Sequence, residues 1–334
     1  PYASVISLGG TLFLSAWVLS ISYMMIRMRK RFVLPFALVI LLPLLLNNSY
    51  SSQDRISFVG IQGNTPSVGL TFNDRAEAVF NLHMDQTKKL LPASADVVIW
   101  PENAIDVDPF VNARVRSELE SLTAWLEMPL IAGAVTRQSG QLENASIMYN
   151  KSGEVVSYYS KQYLTPFGEY IPLRPIARLV SPYVDGVVDF ETGDKVERHE
   201  VNTLSLSPVI CYELLSDSLV RNAAETSDAL VVQTNSATFA RTSESAQQLN
   251  ITRLRALENA REIVSVSTIG ISAHIDINGR VLSQTDENVA ATLTGDLQSN
   301  SSITLAHRLG GFAPLLLIVF SLLLPIFLRI VRSR

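Results

Sequence analysis

Val-Val-Ile-Trp-Pro-Glu, residues 97–102, is an apolar run too short for a helix, β-branched at its start and closed by a proline and a carboxylate. Such a run reads as a buried strand. In open α/β folds, residues just past the carboxyl ends of strands share one rim and line the binding crevice. Two further runs repeat the pattern. Val-Ser-Tyr-Tyr-Ser-Lys (156–161) ends in Lys161, and Ser-Pro-Val-Ile-Cys-Tyr-Glu (207–213) sets Cys211, the single cysteine of the chain, just past an apolar strand.

Outward from these runs, strands are expected at 56–61, 97–100, 130–135, 146–149, 155–159, 204–210, 229–233, 263–267 and 271–276. Helices are expected at 75–91, opened by the caps Asn73 and Asp74, and at 111–127, 214–224 and 244–261. Gly153 and the pair Asn278-Gly279 mark hairpin turns. The order β-α-β-α-β followed by hairpins predicts a mixed sheet covered by helices in one α/β domain of residues 51–305.

Composition bounds the rest. The 334 residues are 47% hydrophobic and 17% charged, which excludes disorder, collagen and small disulfide scaffolds. One cysteine excludes an intrachain disulfide, and a net charge of −4 gives no footprint for nucleic acid. The histidines His83, His199, His274 and His307 are scattered, so no metal site is expected.

The ends of the chain read as membrane helices. Residues 1–26, 32–46 and 309–328 carry no charge, and about 20 apolar residues cross a bilayer core. Spans are therefore expected at 3–26, at 32–50 with kinking at Pro35 and Pro43, and at 309–328, inside terminal segments 1–50 and 306–334. Arg27, Arg29, Lys30 and Arg31 follow the first span, and Arg329, Arg332 and Arg334 follow the last. The positive-inside rule puts both clusters in the cytoplasm and residues 51–305 on the other side. A chain that begins with Pro1 is expected to be processed or a piece of a longer protein.

A carboxylate, an ammonium and a thiol at strand ends suggest covalent chemistry. A thiol is a weak nucleophile until a base removes its proton, and a thiolate attacking a carbonyl needs positive charge or N–H donors at the developing oxyanion. Glu102 fits the base, Cys211 the nucleophile and Lys161 the oxyanion group, with the Tyr212 backbone N–H as a second donor. Taken singly, each also has an ordinary structural reading. A lone cysteine is more often an inert buried thiol, and a Pro-Glu or a lysine at a strand end is more often a solvated residue.

The wording around these residues resembles the nitrilase superfamily of carbon–nitrogen hydrolases, and most closely its membrane-bound branch, the apolipoprotein N-acyltransferases. The pieces that carry the resemblance are Val-Gly-Ile-Gln-Gly-Asn-Thr-Pro (59–66), Val-Ile-Trp-Pro-Glu-Asn-Ala (98–104), Ser-Lys-Gln-Tyr-Leu-Thr-Pro-Phe-Gly-Glu-Tyr-Ile-Pro (160–172), Val-Ile-Cys-Tyr-Glu (209–213) and Arg-Leu-Arg-Ala-Leu-Glu-Asn-Ala-Arg (253–261). It implies a four-layer α-β-β-α sandwich flanked by transmembrane helices, with Glu102, Lys161 and Cys211 as catalytic triad. It further implies that Glu169 holds Lys161 or assists proton transfer, that Tyr212 and Glu213 shape the pocket, and that Phe72 stands where the family has a substrate-contacting tryptophan.

By the same resemblance, the expected reaction moves an acyl chain from a phospholipid, through a thioester on Cys211, to the N-terminal amine of a diacylglyceryl-cysteine apolipoprotein. No cofactor is expected, and the expected location is the bacterial inner membrane, multi-pass, with the catalytic domain in the periplasm. A membrane-tethered amidase and a catalytically silent scaffold are the competing expectations. The family has more membrane helices ahead of its catalytic domain, so an N-terminal portion is expected to precede residue 1. The sequence departs from the family pattern at Asn-Ser-Ala-Thr-Phe-Ala (235–240), where Asn-Asp-Ala-Trp-Phe-Gly is usual, and at Ile269.

Overall fold

Two six-stranded sheets packed face to face form the centre of the protein in the computed structural model. The first is ordered β12-β1-β2-β3-β4-β5, with β1 at Arg55–Gln62, β2 at Val97–Ile99, β3 at Leu130–Gln138, β4 at Gln141–Tyr149, β5 at Val155–Ser160 and β12 at Ala291–Gln298. The second is ordered β11-β10-β9-β8-β7-β6, with β6 at His199–Val201, β7 at Leu204–Ile210, β8 at Ala229–Thr234, β9 at Glu262–Ser267, β10 at Ala273–Ile275 and β11 at Val281–Gln284. The structure describes residues 2–26, 33–68, 76–90, 95–138, 140–180 and 182–312, with 315 and 319. Phe72, the caps Asn73 and Asp74, both basic clusters and most of the expected third span lie outside the described residues.

The mixed sheet read from the element order resolves into two sheets, as the four-layer α-β-β-α sandwich implied by the family resemblance expects. Strands β1-β2-β3 and β7-β8-β9 are each parallel, so the β-α-β-α-β pattern occurs once per sheet, and antiparallel neighbours extend each set. Between the sheets, Ile56, Phe58, Ile99 and Ile131 of the first meet Leu206, Val231 and Val264 of the second. Burial on both faces is why the parallel strands read as unbroken apolar runs.

Each outer face is covered by helices. Over the first sheet lie α3 (Ala78–Thr87) and α4 (Ala113–Leu126), packed through Phe80, Met84, Val115 and Leu119. The start of α3 is capped from a distance, because the Asp106 carboxylate accepts the Val79 and Phe80 N–H groups. Over the second sheet lie α6 (Asp217–Glu225) and α7 (Glu244–Asn259), packed through Leu219, Val220 and Ala256. The expected helix 214–224 is two elements, since Cys211–Leu215 forms a 3-10 turn and Ser216 then caps α6. A single-turn helix, α5 (Arg174–Ala177), and the short α8 (Leu305–Leu309) complete the set after the two N-terminal helices.

Those N-terminal helices are α1 (Ile6–Ile26) and α2 (Val33–Leu45). Among the described residues, Ala3–Ile26 is the helix long and apolar enough to cross a membrane. It breaks at Gly9-Gly10, where Gly10 has φ 75°. Thr11, just past the break, donates to Asp217 of α6 at 3.1 Å. The second apolar helix is shorter than the expected span 32–50. It stops at Leu45, and the Asn48 side chain beyond it donates to the Leu257 and Ile277 carbonyls of the sandwich.

Candidate active site

Glu102 follows β2 on a turn that presses against β3. A Cβ at Gly133 would stand 2.3 Å from the Pro101 oxygen and 2.6 Å from the Glu102 Cα, so only glycine lets β3 approach so closely. Lys161 follows β5 directly, and its backbone N–H donates to the Asn144 carbonyl of β4 at 2.8 Å. Cys211 follows β7 with φ 48°, a left-handed conformation uncommon for a residue with a Cβ and concentrated at functional turns. The strand-end rule therefore brings all three expected residues to one place.

Three groups contact the Lys161 ammonium. It stands 3.1 Å from Glu102 Oε1, 2.9 Å from Glu169 Oε2 and 3.3 Å from Thr165 Oγ1, and its side chain is 1% exposed. Asn144 Nδ2 binds the same two carboxylates, at 2.8 Å to Glu102 and 2.6 Å to Glu169. Burying an ammonium costs several kcal/mol, and burial by itself lowers the Lys161 pKa. Glu102 and Glu169 outweigh it and hold the pKa above its ordinary value. Lysine is therefore a fixed positive charge at neutral pH.

The other two groups move the opposite way. Burial raises the Glu102 pKa, with Glu169 adding to the rise and Lys161 opposing it. A carboxylate raised in this way is a better proton acceptor. Burial also pushes the Cys211 thiol up, and the charge of Glu102 adds to the rise while Lys161 opposes it. The resting sulfur is thus a thiol that needs a base. Glu102 Oε2, the oxygen not engaged by Lys161 or Asn144, has no hydrogen-bond partner among the described residues, so it is free to take a proton.

Glu213, expected to shape the pocket, fastens the turn that carries Cys211. Its Oε2 accepts the Ile210 N–H at 2.7 Å. Its Oε1 accepts the Tyr159 hydroxyl at 2.7 Å and the N–H groups of Gln162 at 2.7 Å and Tyr163 at 3.2 Å. Tyr159, Gln162 and Tyr163 flank Lys161, so one carboxylate ties the thiol's turn to the lysine's segment across the two sheets. Tyr212, with Leu215 and Tyr163, lines a cavity of about 710 Å³ bounded by Gly9–Leu12 of α1 and by Asp217, Arg221 and Arg255 of the outer helices.

Asn144, Glu244 and Gln248 join the site without having been expected. Gln248 Nε2 of α7 stands 3.7 Å from Cys211 Sγ. Asn144 sits within β4, two residues before the expected strand, where a buried amide in an apolar register was the available signal. Ser236, Ala237 and Ile269, at the departures from the family pattern, are all buried. Among the described residues, no group of three His, Cys, Asp or Glu side chains is arranged to hold a metal ion.

Residues 61–306 match the carbon-nitrogen hydrolase family. An apolipoprotein N-acyltransferase of Mycolicibacterium smegmatis is 30% identical over 278 residues, which are 79% of this chain and 47% of that protein. One from Rickettsia bellii is 33% identical over 263 residues, 76% of this chain and 52% of that protein. The chain thus spans about half the length of these relatives. Among solved structures, an amidase from Nesterenkonia sp. aligns with TM-score 0.57 at 16% identity, covering 76% of this chain and 94% of that one. A superfamily protein from Xanthomonas campestris aligns with TM-score 0.55 at 16% identity, covering 72% and 91%. At such identities the likeness is one of fold.

Proposed function

The chain belongs to the carbon-nitrogen hydrolase family, and from that premise we propose that it transfers an acyl chain from a phospholipid to the N-terminal amine of a diacylated apolipoprotein. Glu102 acts as general base, Cys211 as nucleophile and Lys161, with the Tyr212 N–H, as oxyanion stabiliser. Glu102 Oε2 takes the thiol proton, the thiolate attacks the ester carbonyl, and the tetrahedral oxyanion forms beside Lys161. Collapse expels the lysophospholipid oxygen, which takes the proton back from Glu102 and leaves a thioester on Cys211. The acceptor amine then attacks, and the amide forms as the thiol is restored.

The observation that carries this reading over hydrolysis of a small amide is the cavity at the nucleophile turn. One of its walls is Gly9–Leu12 of the membrane-length helix α1, so Tyr212 and Leu215 adjoin the segment that would enter the bilayer. Both substrates are held in a membrane by their own chains, and the site has to lie at its surface. Glu169 supports Lys161, Glu213 the nucleophile turn and Tyr212 the cavity wall, while Phe72 is assigned a substrate contact from the sequence alone. The location that fits is a bacterial inner membrane crossed several times, with the sandwich in the periplasm.

Incubation of the detergent-purified full-length protein with a phospholipid carrying a labelled acyl chain tests the reading. Hydroxylamine-sensitive label is expected on the unchanged protein and absent from Cys211→Ala. A folded full-length protein that takes up no label, or a Cys211→Ala variant labelled as fully as the parent, overturns it.

A further inference from the structure

Helix α7 begins at Glu244, and residues four apart lie on one helix face, so Glu244 and Gln248 are neighbours on the face that brings Gln248 to 3.7 Å from the Cys211 sulfur. The wall around them leaves more acceptors open than donors, Asn235 Nδ2 being the open amide donor. Glu102 Oε2, Glu244 Oε2, Asn103 Oδ1 and Gln233 Oε1 are shielded from solvent and have no hydrogen-bond partner among the described residues. Gln233 belongs to the same wall, since its Nε2 donates to the Trp100 carbonyl at 2.7 Å, two residues before Glu102. The Ser236 hydroxyl, on a residue 1% exposed, has no partner at full hydrogen-bond geometry among the described residues, although it lies near enough to the Glu244 carboxylate to act on it. Burial raises the Glu244 pKa, a Ser236 hydroxyl opposes the rise, and the Glu102 charge adds to it, which puts all three groups within one electrostatic neighbourhood.

An unpaired buried acceptor costs about 1–3 kcal/mol, and more when it is charged. A wall that leaves several acceptors open therefore fits a group made only of donors. A primary ammonium has three N–H donors and no acceptor, and an N-terminal amine, with an ordinary pKa of about 8, arrives at neutral pH mostly in that form. The thioester carbonyl has the opposite need, and Lys161 already serves it.

We infer that Glu244 and Ser236 form the subsite that receives the acceptor amine as an ammonium ion beside the free oxygen of Glu102. This rests on the acyl-transfer reading and assigns its second half. One ammonium proton passes to Glu102 Oε2, and the free amine lone pair attacks the thioester carbon. The carbon–sulfur bond breaks, the sulfur takes a second proton from the nitrogen to become the thiol, and Glu102 returns its proton to solvent. The neutral amide product no longer pairs with Glu244, which favours its release. Position 236 is a serine where the related pattern carries an aspartate, and here the carboxylate comes instead from the first residue of α7.

Measurement of the two halves separately tests the assignment. The full-length protein and Glu244→Gln are first labelled from phospholipid, then chased with a synthetic peptide bearing an N-terminal diacylglyceryl-cysteine. Glu244→Gln is expected to form the thioester no more slowly than the parent, because a charge that opposes thiol ionisation is gone, while the peptide KM rises about tenfold or more. Glu244→Asp, and Ser236→Asp added to Glu244→Gln, are expected to bring it part of the way back. An unchanged peptide KM, or equal loss in both halves, overturns the inference while leaving acyl transfer in place. Failure of the unchanged protein to label overturns acyl transfer, and this subsite with it.

Discussion

The first sheet brings Glu102 and Lys161 to the site already paired, with Glu169 holding the lysine and Asn144 donating to both carboxylates, whereas the second sheet and its covering helix α7 bring Cys211, Gln233 and Glu244, the last two with an oxygen left open. One side is a paired charge network with Glu102 Oε2 and Asn144 Oδ1 left open, and the other carries the thiol and further open oxygens. Under the proposed acyl transfer, the difference follows from what each side has to do. A buried ammonium is tolerated only when its hydrogen bonds and charge are met within the protein, and a fixed charge aimed at a developing oxyanion needs no reorganisation during reaction. A nucleophile and a subsite must instead keep capacity for atoms not yet bound.

Removal of the lysine breaks the paired side. Lys161→Met leaves Glu102 and Glu169 facing each other in a buried space, where like charges drive protonation of one carboxylate. Thioester formation is expected to fall by about 10³-fold or more, and unfolding stability by about 3–5 kcal/mol, the usual effect of removing one partner from a buried pair. Labelling rates and thermal unfolding in detergent measure the two effects. A variant that still acylates within tenfold of the parent would show that the lysine does not serve the oxyanion.

The link between the sides is smaller in effect. Glu213 accepts four donors, from Ile210, Tyr159, Gln162 and Tyr163. Glu213→Gln keeps the shape but turns one acceptor into an NH₂ group that faces donors. A loss of about 1–3 kcal/mol is expected. Because the turn that carries Cys211 loosens, thioester formation is expected to fall about tenfold with little change in peptide KM. A fall in KM-linked transfer with normal thioester formation would assign Glu213 to substrate instead.

The contrast also explains what the sequence could and could not say. Parallel central strands such as 204–210 are legible to the residue because both faces are buried and the apolar run is unbroken. Strand β12, Ala-Thr-Leu-Thr-Gly-Asp-Leu-Gln, pairs along all of β1 yet alternates buried and exposed positions and carries Gly295 and Asp296, so it reads as loop. Strand β6 has three residues, too few for any periodicity. The division into two sheets lies in long-range pairing, which no local pattern records. Glu102, Lys161 and Cys211 follow strands whose ends converge by topology, and the family resemblance singled them out from other strand-end residues. Asn144 within a strand and Glu244 at a helix start lie outside that rule, and only packing reveals them. The membrane reading rests on apolar length and on basic clusters that lie outside the described residues; α1 has the length and the thirteen-residue α2 does not.

The last effect appears only as a dependence on pH and concerns the seam where the two sheets meet through a histidine. His199 of β6 lies between Ser146 of β4, 2.9 Å from its Nε2, and Ser157 of β5, 2.5 Å from its Nδ1. Burial lowers its pKa from 6.5 to about 3. His83 is similar, lowered by burial to about 4 although the Val79 carbonyl opposes the fall, and its Nε2 accepts the Gly63 N–H. Both folded values lie below the ordinary one, so the unfolded chain takes up protons that the folded protein refuses. Their stabilisation is complete above about pH 6.5 and is lost as pH falls, until His83 levels off near pH 4 and His199 near pH 3. Each contributes a slope of about 1.4 kcal/mol per pH unit in that window. Buried carboxylates such as Glu102 and Glu213 have raised values and act with the opposite sign, so the net slope is less than the two histidines alone would give. The difference between the parent and His199→Gln isolates one histidine: the variant is expected to lose stability less steeply between pH 6 and 4, by about 1.4 kcal/mol per unit. Equal slopes would mean that His199 is protonated in the folded state. The seam would then be held by a cation between two serines instead of a neutral ring, and the sheets would be joined by charge on both sides of the molecule.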